Sequence, residues 1–168
     1  MKRYWFLWMA TALLAVFAFF IFRLGFGWKS LLPERKEGPL TKDPVVWPKI
    51  QFLLSLSTVG KQRPFTEREM EILRKSISDP NKYVRVEAIA ALREARHDLK
   101  QREEAIKLTI GCLKDPEWIV RAYAIRSIAW LGVKEAIPQI LPLLNDPQPE
   151  VREAAKWTLQ KLGYQVRE

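Results

Sequence analysis

The pattern of apolar and polar positions divides the chain into three parts. Tyr4 to Phe22 is a run of nineteen residues without a charge. Residues 29–45 are interrupted by prolines, which break regular helix and stiffen a chain. From residue 46 onward, apolar residues recur with the spacing of amphipathic helices. The pattern therefore predicts a membrane anchor in 1–28, a Pro-rich linker in 29–45 and a helical domain in 46–168.

The first part has the length and composition of a transmembrane helix. Nineteen helical residues span roughly 28 Å, close to the thickness of about 30 Å of a bilayer's hydrocarbon core. Trp5 and Trp8 lie near one end of the run and Trp28 lies beyond the other, as is typical of aromatic belts at the two interfaces. We expect a single-pass anchor that contacts the membrane through residues 4–22 and carries basic flanks.

The alternative for this segment is a cleaved secretory signal that starts with Lys2 and Arg3. The apolar run exceeds the length of about 7–15 residues that is usual for a signal, so we favour an uncleaved anchor. Basic residues after the run favour a cytoplasmic domain, whereas the two basic residues before it resist translocation of the N-terminus. The sequence leaves the side of the membrane open.

Three segments of the helical domain repeat one pattern without gaps. Each begins with Asp-Pro and continues with Val-Arg at +5 and +6, Ala at +9 and Leu or Ile at +13, counted from the aspartate. The aspartates are Asp79, Asp115 and Asp146, spaced by 36 and 31 residues. Aspartate suits a helix N-cap and proline the first helical residue, so we expect a helix to start at each Asp-Pro. Gly132 and Gly163, at +17, predict left-handed helix ends.

A second amphipathic helix precedes each Asp-Pro, so the unit is a helix pair. Thr66 and Glu69 have the spacing of a capping box at the start of the first of these helices. A short helix in 46–57 is expected to cap one end of the stack, and polar side chains of the last helix the other. The predicted first helices cover about 66–78, 102–114 and 134–144, and the complete repeats about 66–96, 102–132 and 134–163.

The motif L-x-D-P-x-x-x-V-R-x-x-A, seen from Leu113 to Ala124 and from Leu144 to Ala155, resembles the HEAT-repeat family. It is most similar to the short bacterial repeats called phycobilisome-lyase HEAT-like. The resemblance implies an all-α fold, a short right-handed α-solenoid of about three helix pairs. The apolar run predicts one transmembrane helix before it, which we expect in a bacterial cell membrane. The resemblance also implies that the turn aspartates and helix arginines form a buried ladder between repeats. These structural residues are Asp79, Arg85, Asp115, Arg121, Asp146 and Arg152.

The net charge of +9 is concentrated beside the apolar run. Residues 1–29 contribute +4, residues 30–64 contribute +3, and residues 65–168, with eighteen basic and sixteen acidic groups, only +2. Basic residues next to a membrane are attracted to anionic lipid by about 1 kcal/mol each. A nucleic-acid-binding domain would carry its excess on the folded surface, so we expect no nucleic-acid partner and keep that function as the third hypothesis.

Few residues offer catalytic chemistry. His97 and Cys112 are the single histidine and cysteine, which is too few for a zinc site of the usual ligands. We read His97 as a solvated loop residue and Cys112 as a core residue. We therefore expect no catalytic residue, cofactor or metal. A lyase-like enzyme or a chromophore-handling protein is the second hypothesis, because some HEAT-like proteins have such roles.

One surface of the second helices has the composition of a binding site. The positions +4, +8, +11 and +15 adjoin the buried face, and they include Tyr123, Arg126, Trp130 and Trp157. Trp, Tyr and Arg are enriched at the energetic centres of protein interfaces. The alternative is that these rings pack between neighbouring repeats. The first hypothesis is thus a membrane-anchored scaffold that binds a protein partner through this candidate patch.

Overall fold

The computed structural model describes residues 43–165, so the predicted anchor and almost all of the linker lie outside the described residues. No strand occurs in 43–165, and no helix in this range is both long and apolar enough to cross a bilayer. The α-helices of this range are α1 Val46–Gly60, α2 Glu67–Ser76, α3 Lys82–Leu92, α4 Leu99–Gly111, α5 Trp118–Leu131, α6 Ile137–Ile140 and α7 Pro149–Lys161.

The helices form a row with a second layer against it. Within the row, α1 packs on α3, α3 on α5, and α5 on α7. In the other layer α2 contacts α3, α4 contacts both α3 and α5, and the segment 134–145 contacts α7. The all-helical prediction is confirmed, and the arrangement is consistent with an α-solenoid. The right-handed sense of the solenoid stays a prediction.

The row helices start later than the sequence pattern predicted. Each begins three residues after its aspartate, so the N-caps of α3, α5 and α7 are Asn81, Glu117 and Gln148. The prediction that the aspartates are N-caps is therefore wrong. Their carboxylates instead accept the backbone N–H two residues on, at 2.9 Å in each turn. This Asx-type turn fixes the chain before the helix and leaves the second carboxylate oxygen for another partner.

The helix α1 is a further copy of the row helix, which the sequence analysis missed. Asp43-Pro44 precedes it, the helix starts at +3, and Gly60 stands at +17. The Asp43 carboxylate accepts the N–H of Val45 at 2.9 Å, as in the other turns. The match was hidden because Lys49 replaces the arginine at +6 and Phe52 replaces the alanine at +9. The expected end cap is thus an additional half repeat.

A ladder of ion pairs joins neighbouring row helices at these turns. Arg85 donates from Nε and Nη2 to both oxygens of Asp115, at 2.8 Å each. Arg121 does the same to Asp146, at 2.9 and 2.8 Å. The remaining Nη1 of each arginine donates to the carbonyl of its own turn aspartate at 2.8 Å. Each arginine therefore donates to the carbonyl of its own turn and to the carboxylate of the next turn.

The two ends of the ladder differ from its middle. Asp79 pairs with Lys49 at 2.7 Å rather than with an arginine. Arg152 donates from Nη1 to the carbonyls of Asp146 and Pro147, at 2.8 and 3.0 Å, but forms no ion pair with a carboxylate in 43–165. The two Arg–Asp rungs are the best protected, since the side chains are 10% and 9% exposed in Arg85 and Asp115, and 12% and 5% in Arg121 and Asp146.

The Arg121 guanidinium holds the pKa of Asp146 below its ordinary value of 3.8, mainly through these hydrogen bonds. A carboxyl with a lowered pKa in the folded state stabilises the fold above its unfolded pKa. That contribution is lost as pH falls from about 3.8 through the lower pKa of the folded state. The rung therefore supports the fold at neutral pH.

The core runs between the layers and between successive row helices. Ala88, Ala124 and Ala155, all at +9, are fully buried, so the small side chain permits a close approach of a neighbouring helix. Helix α3 serves two apolar clusters, with Val84 facing one and Ile89 the other. Burying a side chain of this size stabilises by about 1.5–3 kcal/mol. Each row helix is thus held from both sides.

The helices of the second layer agree less well with the helices predicted from the sequence. Thr66 and Glu69 form the predicted capping box at the start of α2. The predicted helix 134–144 is broken into 3-10 segments on either side of the single turn α6, because Pro138 and Pro142 lack the N–H that a helix needs. Gly132 and Gly163 have φ of 69° and 83°, which confirms the predicted left-handed positions after α5 and α7.

The ladder generates a prediction about stability. Arg121→Ala leaves the buried carboxylate of Asp146 unpaired, so we expect the free energy of unfolding to fall by about 3 kcal/mol. Lys49→Ala removes a pair whose lysine side chain is 46% exposed, and such pairs contribute about 1 kcal/mol or less. Denaturant unfolding of the full chain in mild detergent, followed by far-UV circular dichroism, measures both.

Arg152→Ala is the matched control for this comparison. It removes the same side chain and the same two carbonyl contacts as Arg121→Ala, without breaking an ion pair in the described residues. Equal losses for Arg121→Ala and Arg152→Ala would show that the rung contributes nothing beyond the turn.

Candidate functional site

The close approach of α5 and α7 places the candidate patch. Ala154 is 1% exposed at their contact, and the Thr158 hydroxyl donates to the Ile125 carbonyl at 3.3 Å. A small residue and an internally bonded hydroxyl let the two helices lie close together. Side chains that leave the contact on its solvent side, Trp130 from α5 and Trp157 from α7, therefore emerge beside each other.

The structure brings three of the four predicted patch residues around one groove. Arg126, Trp130 and Trp157 line it together with Glu153, and its volume is about 450 Å³. We call this the aromatic groove. Tyr123 is 44% exposed on α5 but is not among the residues that line the groove. The groove is therefore a surface that two helices share, rather than a stripe along one of them.

The indole rings of the groove are not buried between repeats. Trp130 is 64% exposed and Trp157 43%. The interpretation of these rings as inter-repeat packing therefore fails for Trp130 and holds only in part for Trp157. Lys161 joins the two rings, because its Nζ lies 5.4 Å from the centroid of the first and 5.5 Å from that of the second. Such cation–π contacts orient the rings while leaving them open to solvent.

A second groove adjoins the first and was not predicted from the sequence. It shares Trp130 with the aromatic groove, and its volume is about 350 Å³. We call it the basic groove. Its lining residues are Lys61, Arg93, Glu94, Arg96, Arg102, Trp130 and Leu131.

The polar groups of the basic groove are partly connected to each other. Glu94 is 7% exposed, and its carboxylate lies 3.5 Å from Arg93 and 3.4 Å from Arg96. Arg102 donates to the carbonyl of Leu131 at 2.8 Å, which satisfies the C-terminal end of α5. The Arg93 guanidinium stands 5.6 Å from the ring centroid of Trp130. The groove is thus ordered by its own contacts.

Cys112 has the environment of a core thiol. It is 8% exposed, and its Sγ donates to the Leu108 carbonyl at 3.4 Å. Burial raises the pKa of this thiol to about 11, so the thiolate is a minor species at neutral pH. The exposed His97 lies elsewhere, with Nε2 at 3.1 Å from the Lys61 carbonyl. The structure therefore does not bring the one cysteine and the one histidine together.

No group of three or more His, Cys, Asp or Glu side chains within 43–165 is arranged to hold a metal ion. The acidic side chains of the ladder are taken up by arginine and by backbone N–H groups. The two grooves present aromatic and cationic side chains to solvent.

A family model described as HEAT repeats matches residues 106–167. This match supports assignment of the repeats to a HEAT-repeat family. It covers the second and third predicted repeats, from within α4 to beyond the end of α7. No curated protein matches the chain. The likeness to phycobilisome-lyase repeats stays a prediction.

The state of Cys112 generates a prediction that bears on the lyase-like hypothesis. In the native chain we expect N-ethylmaleimide to alkylate this thiol about a hundredfold more slowly than in urea, because the folded protein both covers it and raises its pKa. Mass spectrometry over time measures both rates. Fast alkylation of the native chain would instead reveal an accessible, activated thiol and favour a catalytic role.

Proposed function

We propose that this protein is a membrane-anchored scaffold whose HEAT repeats bind a partner protein through the aromatic groove. A helical repeat fold suggests a protein-interaction scaffold, since stacked helices give an extended surface without catalytic groups. The observation that carries the proposal is that Trp130 and Trp157 line one groove and are 64% and 43% exposed.

The composition of this groove supports binding to a protein. Trp and Arg dominate the binding energy of protein interfaces, because a large ring buries much area at a low entropy cost. Arg126 lines the same groove, and Lys161 contacts both rings. Exposed indole rings are apolar surface, so their burial under a partner protein lowers the free energy.

The proposed anchor and the linker would tether the repeats to the membrane. The apolar run at residues 4–22 would hold the chain in the bilayer, with basic residues on both sides. The Pro-rich linker 29–45 has seventeen residues, which in an extended proline-rich form reach about 50 Å. A tether of this length would let the repeats capture a partner close to the membrane and raise its local concentration there.

The aromatic groove is tested by removing its rings. In crosslinking pull-downs from intact membranes we expect Trp130→Ala with Trp157→Ala to reduce recovery of the partner at least about tenfold, since hot-spot truncations cost about 2 kcal/mol or more each. Both rings are exposed, so the fold should be retained.

The matched control is Trp118→Ala, which removes another partly exposed indole, 36% exposed, at the start of α5. We expect it to leave recovery unchanged. Equal recovery by the wild type and the double variant would remove the aromatic groove from the proposal.

The anchor is tested separately. We expect the full chain to stay in the membrane fraction after alkaline carbonate extraction, because a spanning apolar helix is not released by the loss of charge contacts. Release of the intact chain into the supernatant would contradict the anchor. A cysteine introduced in the linker as Ser30→Cys, probed with a membrane-impermeant maleimide, then reports the side of the membrane, since Cys112 is buried.

A further inference from the structure

The basic groove carries more positive charge than its own contacts require. Its lining has four cationic side chains, from Lys61, Arg93, Arg96 and Arg102, and a single carboxylate, that of Glu94. Lys61 precedes residue 65. The other three cations and the carboxylate sum to +2, which equals the net charge of all of residues 65–168. The local concentration of cations is therefore a feature of this groove and not of the whole surface.

Helix geometry explains part of this concentration. Cations are favourable near the carbonyl ends of helices, and α1, α3 and α5 all end at this groove. Arg102 is an example, because it donates a hydrogen bond to the carbonyl of Leu131 at the end of α5. Arg93 and Arg96 share one carboxylate, so that a single negative charge faces two guanidinium groups. The Lys61 ammonium has no hydrogen bond or ion pair with any group in 43–165.

The basic groove and the aromatic groove form one continuous surface. Trp130 lines both, and its ring centroid lies 5.6 Å from the Arg93 guanidinium and 5.4 Å from the Lys161 ammonium. Arg96 and Lys61 line the basic groove together with Trp130 and are exposed to solvent. A ligand that covers the indole rings can therefore also contact the cationic side chains of the basic groove.

We propose that the basic groove binds an acidic segment of the partner, a stretch rich in Asp or Glu carboxylates adjoining the residues that cover the aromatic groove. This inference rests on the proposed function and names the partner's chemistry. Guanidinium groups bind carboxylates in paired hydrogen bonds, and the surplus of three positive charges is matched by several acidic side chains in one segment.

The form of the groove favours a peptide over a flat lipid surface. Its volume is about 350 Å³, and its lining includes Leu131 and Glu94, which are 8% and 7% exposed. Side chains of a peptide can enter such a recess, whereas headgroups in a bilayer plane meet its rim. Nucleic acid would be drawn by a broad positive surface, and residues 65–168 carry too little net charge to supply one.

The proposal is tested with the full chain in nanodiscs of neutral lipid. The probe is a fluorescently labelled oligo-glutamate peptide, and the oligo-glutamine peptide of equal length is its neutral counterpart. We expect the acidic peptide alone to raise anisotropy, with an affinity that falls as salt is added. Lys61→Glu with Arg96→Glu should weaken this binding about tenfold or more, since reversed charges repel the carboxylates.

The matched control is Lys107→Glu with Lys114→Glu, which changes the net charge equally at two exposed positions outside the groove. We expect it to change the affinity less than about twofold, as screened distant charges do. Equal weakening by both double variants, or equal binding of both peptides, would overturn the proposal.

Other occupants give different outcomes. Competition of phosphatidylserine nanodiscs with the peptide, lost in Lys61→Glu with Arg96→Glu, would assign the groove to lipid. Tighter binding of a labelled oligothymidylate, lost in the same variant, would assign it to nucleic acid. Either result would overturn the proposal.

The proposed function can survive the failure of this inference. If a partner captured by the wild type is lost with Trp130→Ala and Trp157→Ala but kept with Lys61→Glu and Arg96→Glu, the aromatic groove is the binding site and the acidic segment is wrong.

Discussion

The paired bond from an arginine to the aspartate of the next turn is the constraint on which the stack depends. The arginine stands six residues after the aspartate of its own turn. The aspartate to which it donates precedes the next row helix. The interaction therefore sets the distance, the direction and the register of neighbouring helices together. Hydrophobic packing alone would permit sliding by a turn, whereas two parallel hydrogen bonds at 2.8–2.9 Å do not.

The same constraint positions the candidate site. Because the ladder aligns the starts of the row helices, their carboxyl ends meet at the opposite edge. Residues that follow +13 in successive copies, such as Arg93, Trp130 and Lys161, are thereby brought into contact although 31 to 37 residues separate them along the chain. The binding surface that we propose is thus a consequence of the register. It needs no special loop, only side chains of suitable type at the ends of the helices.

The sequence predicted the features that recur in all three copies of the motif and missed those that depart from it. The Val-Arg and Ala positions and the glycines at +17 gave the helix pairs and the left-handed ends, because each has one physical role in every copy. Aspartate was assigned as an N-cap, since a cap and an Asx turn prefer the same residue. The copy at Asp43 was missed because Phe52, which is 44% exposed, stands where the other copies have a buried alanine.

The candidate site was predicted in part for the same reason. Trp130 and Trp157 were found because they lie on one stripe of the repeat, but the stripe also suggested Tyr123, which lies outside the groove. The basic groove collects Lys61, Arg93 and Arg96 from unequal offsets and Arg102 from the other layer, so no periodic pattern marks it. The signal that could have found it is the cation directly after α1 and after α3, which are Lys61 and Arg93.

The most direct test of this account is a pair of double-mutant cycles for the free energy of unfolding. Alanine substitutions at Arg121 and Asp146 remove both partners of one rung, and we predict a coupling of about 2 kcal/mol or more between them. Alanine substitutions at Arg85 and Asp146 affect residues of different rungs, and we predict additivity within about 0.5 kcal/mol. Additivity in the first cycle, or equal coupling in both, would contradict a stack held in register by neighbouring turns.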